Sequence, residues 1–137
     1  MILLAAYAGL RRAEVAAVHS RDIEGTSLRV VGKGGRVRVI PLHPALEEAL
    51  NGLDGYVFPG RLQGHVSADN VGKTLSRLLG PGWTAHTLRH RFASRAYAAE
   101  RDIRAVQELL GHSKLETTQL YTAIPDGALR TAVLAVG

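Results

Sequence analysis

"TSLRVVGKGGRVRVIPL", residues 26–42, alternates branched apolar and basic residues on either side of "GKGG". Such alternation around paired glycines predicts two antiparallel strands joined by a tight turn. Lys33 then stands at the hairpin tip, where a long cation reaches outward. Its surroundings read differently. Residues 2–18 suit a helix broken in tone only by Gly9, and after Pro41 the pattern turns helical again in "HPALEEALNG" (43–52) and "SADNVGKTLSRLLG" (67–80). "WTAHTLRHRFASRAYAAE" (83–100) and "DIRAVQELLG" (102–111) continue it, with Ser67 as an N-cap and Trp83 as a packing residue ahead of its helix. A last helix is expected from "HSKLETTQLY" (112–121), where Ser113 and Glu116 make an S-x-x-E capping box. The predicted class is α+β, mostly helical, with a small antiparallel sheet.

The 137 residues suffice for one domain with one core. A net charge of +5 and a pI near 10.1 favour a polyanionic partner. Fourteen of the seventeen basic residues are arginine, whose planar fork matches phosphate oxygens in pairs. The absence of cysteine excludes disulfides, thiolate chemistry and cysteine-based zinc sites, and fits a reducing cytoplasm. The apolar opening meets Arg11 and Arg12 far short of the roughly 20 residues a membrane span needs. Its positive charge follows the apolar run, whereas a signal peptide carries it in front. No membrane association is expected.

His86, Arg89 and His90 fall three and four apart, on one helix face. Three readings compete: a metal site on His86 and His90, an anion clamp on His86 and Arg89, or a solvated basic face. Zinc takes three or four ligands, and the HExxH pattern has a glutamate where Thr87 stands here, so the metal reading is weak. "GLRRAEV" (9–15) favours the anion reading, since Glu14 lies one turn from Arg11 and can hold its guanidinium. His112 adds an imidazole beside a helix start, whose backbone N–H groups attract anions. Arg36, Arg38, Arg91 and Arg95 are further candidates for phosphate contacts, while His19, His43 and His65 match no role.

"GLRRAEV", "GKGGRVRVIPL", "HTLRHRFAS" and "LLGHSKLETTQLYT", in this order and spacing, resemble the catalytic domain of the tyrosine recombinases, the phage integrase family. The likeness runs from about residue 3 to residue 122. The resemblance implies site-specific strand exchange between DNA duplexes through a 3′-phosphotyrosine, with no metal, nucleotide or other cofactor. Carried over by position, it makes Arg11 and Arg89 the phosphate clamp, Lys33 the acid for the departing 5′-oxygen and His86 an acid or base. His112 becomes a hydrogen-bond donor to the phosphate and Tyr121 the nucleophile. Glu14 and His90 take supporting parts. Double-stranded DNA and a homotetramer assembled on it are the implied partners, with a monomer expected for the isolated domain.

Residues 1–137 are therefore expected to form the catalytic domain, with part of its first helix missing and the family's core-binding and arm-binding domains absent. The tail "TAIPDGALRTAVLAVG" (122–137) is the kind of segment that docks on a neighbouring protomer in this family. Two rivals share parts of this pattern: a type IB topoisomerase-like nicking-closing enzyme, and a DNA-binding module that kept the fold and lost the chemistry.

Overall fold

A computed structural model describes residues 1–111, so the expected helix after His112, with Tyr121 on it, lies outside the described residues. Two short helices open the chain, α1 (Ile2–Tyr7) and α2 (Arg12–Ala17). The strands β1 (Ile23–Glu24), β2 (Ser27–Val31) and β3 (Val37–Pro41) follow. Then come α3 (Pro44–Leu50), a short strand β4 (Pro59–Leu62), α4 (Ala68–Leu79), α5 (Ala85–Glu100) and α6 (Ile103–Leu110). The α+β expectation holds, and none of the described helices is long and apolar enough to cross a membrane.

The single helix expected over residues 2–18 is two helices. Gly9 breaks it by taking φ +61°, a left-handed conformation that disfavours any residue with a Cβ. A Cβ there would also stand 2.5 Å from Cδ1 of Phe92 on α5. The chain thus turns sharply where α1 packs on α5, and Arg11 starts α2 in an extended conformation.

The hairpin forms as its glycines predict. β1, β2 and β3 make one antiparallel sheet in that order, with β2 and β3 joined through a 3₁₀ turn at Lys33–Gly35. Gly34 and Gly35 both have positive φ, +74° and +75°, which is why this turn needs glycine. The register pairs Leu28 with Ile40 and Val30 with Arg38, and all four face inward and are buried. The opposite face carries Arg29, Val31, Val37 and Val39, so three valines lie exposed and one arginine lies inside.

Leu4, Leu10, Val15, Leu28, Ile40 and Leu75 are among the fully buried side chains of a core that the sheet shares with α1 to α4. Polar caps fix the helix starts. Ser67 Oγ accepts from the Asn70 N–H, Thr84 Oγ1 from the Thr87 N–H, and Asp102 Oδ1 from the Arg104 and Ala105 N–H groups. His43, which the sequence left without a role, caps α3 by accepting the Ala45 N–H on Nδ1. Trp83 is 43% exposed and is a surface residue instead of a packing one.

Replacing Gly9 by alanine combines left-handed strain with overpacking against Phe92, and is expected to destabilise the fold by about 2 to 4 kcal/mol. Urea denaturation of Gly9→Ala measures this. A loss below about 1 kcal/mol would mean that the turn does not need glycine.

Candidate active site

The site is built outward from the first turn of α2. The Arg11 backbone N–H donates to Glu14 Oε2 at 2.8 Å, half of a capping box. The Arg11 guanidinium donates to Glu14 Oε1 at 3.1 Å, the contact that the R-x-x-E spacing predicts. Glu14 is buried, and the partly exposed Arg11 alone would leave much of its charge unbalanced. Arg38 completes the balance: Nη1 and Nη2 donate to Oε1 and Oε2 at 2.8 and 2.9 Å, a bidentate pair. Its Nε donates to the Leu109 carbonyl at 2.8 Å. Arg38 is therefore an internal ion-pair partner, and its candidacy as a phosphate contact is withdrawn because β3 turns it inward with Ile40.

Backbone presses on this pair from two sides. A Cβ on Gly32, beside Lys33, would lie 3.4 Å from Glu14 Oε1 and 3.5 Å from Arg38 Nη1. One on Gly111, at the end of α6, would lie 3.0 Å from Arg38 Cδ, and Gly111 has φ +64° as well. At Gly32 a Cβ would meet the pair at ordinary contact distance, whereas at Gly111 the close approach to Arg38 and the left-handed backbone both favour glycine.

Arg89 is only 3% exposed. It donates from Nη1 to the Gly9 carbonyl and from Nη2 to the Leu110 carbonyl, the latter at 2.6 Å. Arg38 and Arg89 thus donate to consecutive carbonyls in the last turn of α6, which helix geometry leaves without an N–H donor. The cationic guanidinium groups also suit the negative end of the helix dipole.

Two clefts share Arg11. One, about 1050 Å³, is bordered by Arg12, Lys73, His86 and Arg89 as well. The other, about 710 Å³, is bordered by Lys33, Arg36 and Gln107 among others. Of the expected site residues, Arg11, His86 and Arg89 border the first cleft and Arg11 and Lys33 the second, so the two meet at Arg11. His90, although on the same helix, borders neither cleft; it is half-buried, with Nδ1 3.4 Å from Ser94 Oγ. His112 and Tyr121 lie outside the described residues.

Sequence reasoning missed the basic rim of the larger cleft. Arg12 Nη1 and Lys73 Nζ approach Asp69 at 3.9 and 4.0 Å, and Arg12 lies across Gly72, whose Cβ would stand 3.0 Å from its Cδ. No local signal joins residues 12 and 69–73; only the packing of α2 on α4 does.

For Glu14, burial pushes the carboxyl upward. The Arg38 hydrogen bonds, the Arg11 N–H and both guanidinium charges outweigh it, leaving the group below its ordinary value of 4.5. The basic clefts that meet at Arg11, on a mostly helical domain with one hairpin, present the kind of charge that phosphate chemistry calls for.

The chain belongs to the phage integrase family, whose family model matches residues 1–127. It is 39% identical over 134 residues to the tyrosine recombinase XerC of Chromohalobacter salexigens, covering 85% of this chain and 44% of that protein. Identity to the XerC of Rhizobium meliloti is 37% over 138 residues, with 88% and 43% covered. The chain thus spans less than half the length of these relatives. Among solved structures, the integrase of mycobacterium phage Brujita superposes with a TM-score of 0.77 at 34% identity, covering 93% of this chain and 47% of that one. The XerH site-specific recombinase, bound to a palindromic difH substrate in a post-cleavage complex, shares the fold with a TM-score of 0.79 at 24% identity, covering 96% and 43%.

The depressed Glu14 value gives a signed expectation. Ionised Glu14 contributes stability that is fully present above pH 4.5 and is lost as pH falls through its lower folded value. Glu14→Gln leaves the buried Arg38 charge uncompensated and is expected to lose about 3 to 5 kcal/mol near neutral pH. The gap between parent and variant narrows in acid, where Glu14 is itself protonated. Urea titrations near neutrality and below the folded value check this, and a gap that does not change with pH would contradict it.

Proposed function

We propose that residues 1–137 act as the catalytic domain of a site-specific tyrosine recombinase, cleaving and rejoining double-stranded DNA without metal or nucleotide. The observation that carries this reading is the pair of clefts that share Arg11, one bordered by His86 and Arg89 and the other by Lys33. Family membership supports it.

In the proposed reaction the Tyr121 hydroxyl attacks the scissile phosphorus and forms a 3′-phosphotyrosine as the bond to the 5′-oxygen breaks. Phenol has an unperturbed pKa near 10, so it needs a base; His86 takes that proton. Lys33 gives a proton to the departing 5′-oxygen, which would otherwise leave as an alkoxide. Arg11 and Arg89 bind the non-bridging oxygens, where negative charge gathers in the transition state, and His112 adds a hydrogen bond. Glu14 supports Arg11, and His90 supports α5. Attack by another 5′-hydroxyl on the phosphotyrosine reverses the step and conserves the bond's energy. Exchange between two duplexes takes a homotetramer on DNA, with the isolated domain monomeric and the reaction cytoplasmic.

The test is covalent trapping of the full-length protein on a nicked suicide duplex, resolved under denaturing conditions. A labelled protein–DNA adduct is expected, and Tyr121→Phe abolishes it. DNA binding indifferent to Tyr121→Phe, with no adduct from the parent, would favour a non-catalytic module. Relaxation of supercoiled plasmid without recombinants would favour a topoisomerase-like enzyme.

Lys33 has its own signature. Lys33→Ala is expected to slow cleavage by about 10² to 10⁴-fold, and a 5′-bridging phosphorothiolate restores most of it because a thiolate leaves without protonation. An equal loss on both substrates would remove Lys33 from the leaving-group role.

A further inference from the structure

The recombinase reading assigns no task to Arg38, yet three segments of the site converge on its guanidinium. Glu14 Oε1 receives both Arg11 Nη1 and Arg38 Nη1, so the carboxylate that orients Arg11 is itself oriented by Arg38. The base of the Lys33 turn lies beside the same pair at Gly32, where an added Cβ would come into van der Waals contact with both side chains. The last turn of α6 is held through the Leu109 carbonyl, with Gly111 packed on the Arg38 stem. Each edge of the guanidinium is occupied: Nε by Leu109, Nη1 and Nη2 by the two Glu14 oxygens.

A buried ion pair is a poor way to gain stability, since apolar residues of similar size often do as well or better. What it provides is direction, because a planar fork fixes a carboxylate in the plane and at the angle of its own N–H groups. Resting on the recombinase reading, we propose that Arg38 is a positioning residue of this site. Through Glu14 it holds the Arg11 guanidinium in the orientation that meets the phosphate, and it registers the hairpin and the α6 terminus to that orientation. Without Arg38, Glu14 is free to turn, and Arg11 regains the rotamer freedom that a preorganised donor must have given up. Lysine keeps the charge but lacks the coplanar donors to span both carboxylate oxygens and the Leu109 carbonyl.

Arg38→Lys in the full-length protein tests this, with melting temperature, DNA affinity and single-turnover cleavage at saturating DNA measured together. Two duplexes are compared, one with the natural phosphodiester and one with a neutral methylphosphonate at the scissile linkage. The neutral linkage presents less negative charge to Arg11, so misplacement of that guanidinium matters less there. Cleavage of the phosphodiester is expected to fall by about 10² to 10³-fold, as on losing one oxyanion donor, with affinity within about threefold of the parent. On the methylphosphonate the loss shrinks to below about tenfold. Parent-like cleavage by Arg38→Lys, or an equal loss on both linkages, would overturn the proposal; the second result is what simple loss of folded protein gives.

Glu14→Gln combined with Arg38→Gln removes both charges and leaves neither buried alone, so it guards against a single variant that fails to fold. The same substrate-dependent loss is expected from it, and parent-like cleavage would again overturn the proposal. A Tyr121-dependent adduct from the parent upholds the recombinase reading whatever the Arg38 variants do. A parent that forms none overturns that reading and this proposal with it.

Discussion

The Glu14–Arg38 pair is the constraint on which the site depends. Both side chains are almost fully shielded from water, and each loses far more hydration than a surface ion pair does. Bidentate geometry, the Arg11 contacts and the Leu109 carbonyl offset that loss by engaging both carboxylate oxygens and all three edges of the guanidinium. The pair joins α2 to β3 and β3 to the end of α6, elements separated by 24 and 71 residues in sequence. A site drawn from such distant segments needs a connection of this kind, because apolar packing has no preferred direction.

Arg89 repeats the device on the other flank. It ties α5 to the Gly9 turn and to α6, so each buried guanidinium spans two elements that border the clefts. Gly9 then serves twice: its left-handed backbone turns α1 into α2, and its carbonyl accepts from Arg89. Electrostatic preorganisation requires donors that are in place before an anion arrives, and interior hydrogen bonds hold such donors more firmly than solvent would. Arg11, partly exposed and braced by Glu14, combines access with restraint.

Legibility in the sequence followed the range of the signal. Ser67, the glycine turn and the Arg11–Glu14 contact are local, and the residues themselves announce them. The break at Gly9 shows in the sequence only as a change of tone, because the close packing against Phe92, 83 positions away, carries no local signal. Arg38 was misread because "RVRVI" admits two strand parities, and the valines favour the wrong one. Counting outward from Gly34 gives the pairing: Val30 opposes Arg38 and Leu28 opposes Ile40, so Arg38 of β3 shares the inward face with Leu28 and Val30 of β2. β1 is two residues long, too short for any period to show.

The same count explains why the outer face of the sheet carries Val31, Val37 and Val39. Exchanging the two faces would bury Arg29, Val31, Val37 and Val39 in place of Leu28, Val30, Arg38 and Ile40, three apolar residues and one arginine either way, so apolar burial alone barely separates them. The observed register brings Glu14 a buried counter-charge in Arg38, beside its contacts to Arg11, and an acid left without one in the core would be costly. The buried acid on α2 therefore favours the register that turns Arg38 inward, on a hairpin more than twenty residues away. That register sets where Lys33 stands relative to Arg11, so fold specificity and site geometry come from the same ion pair.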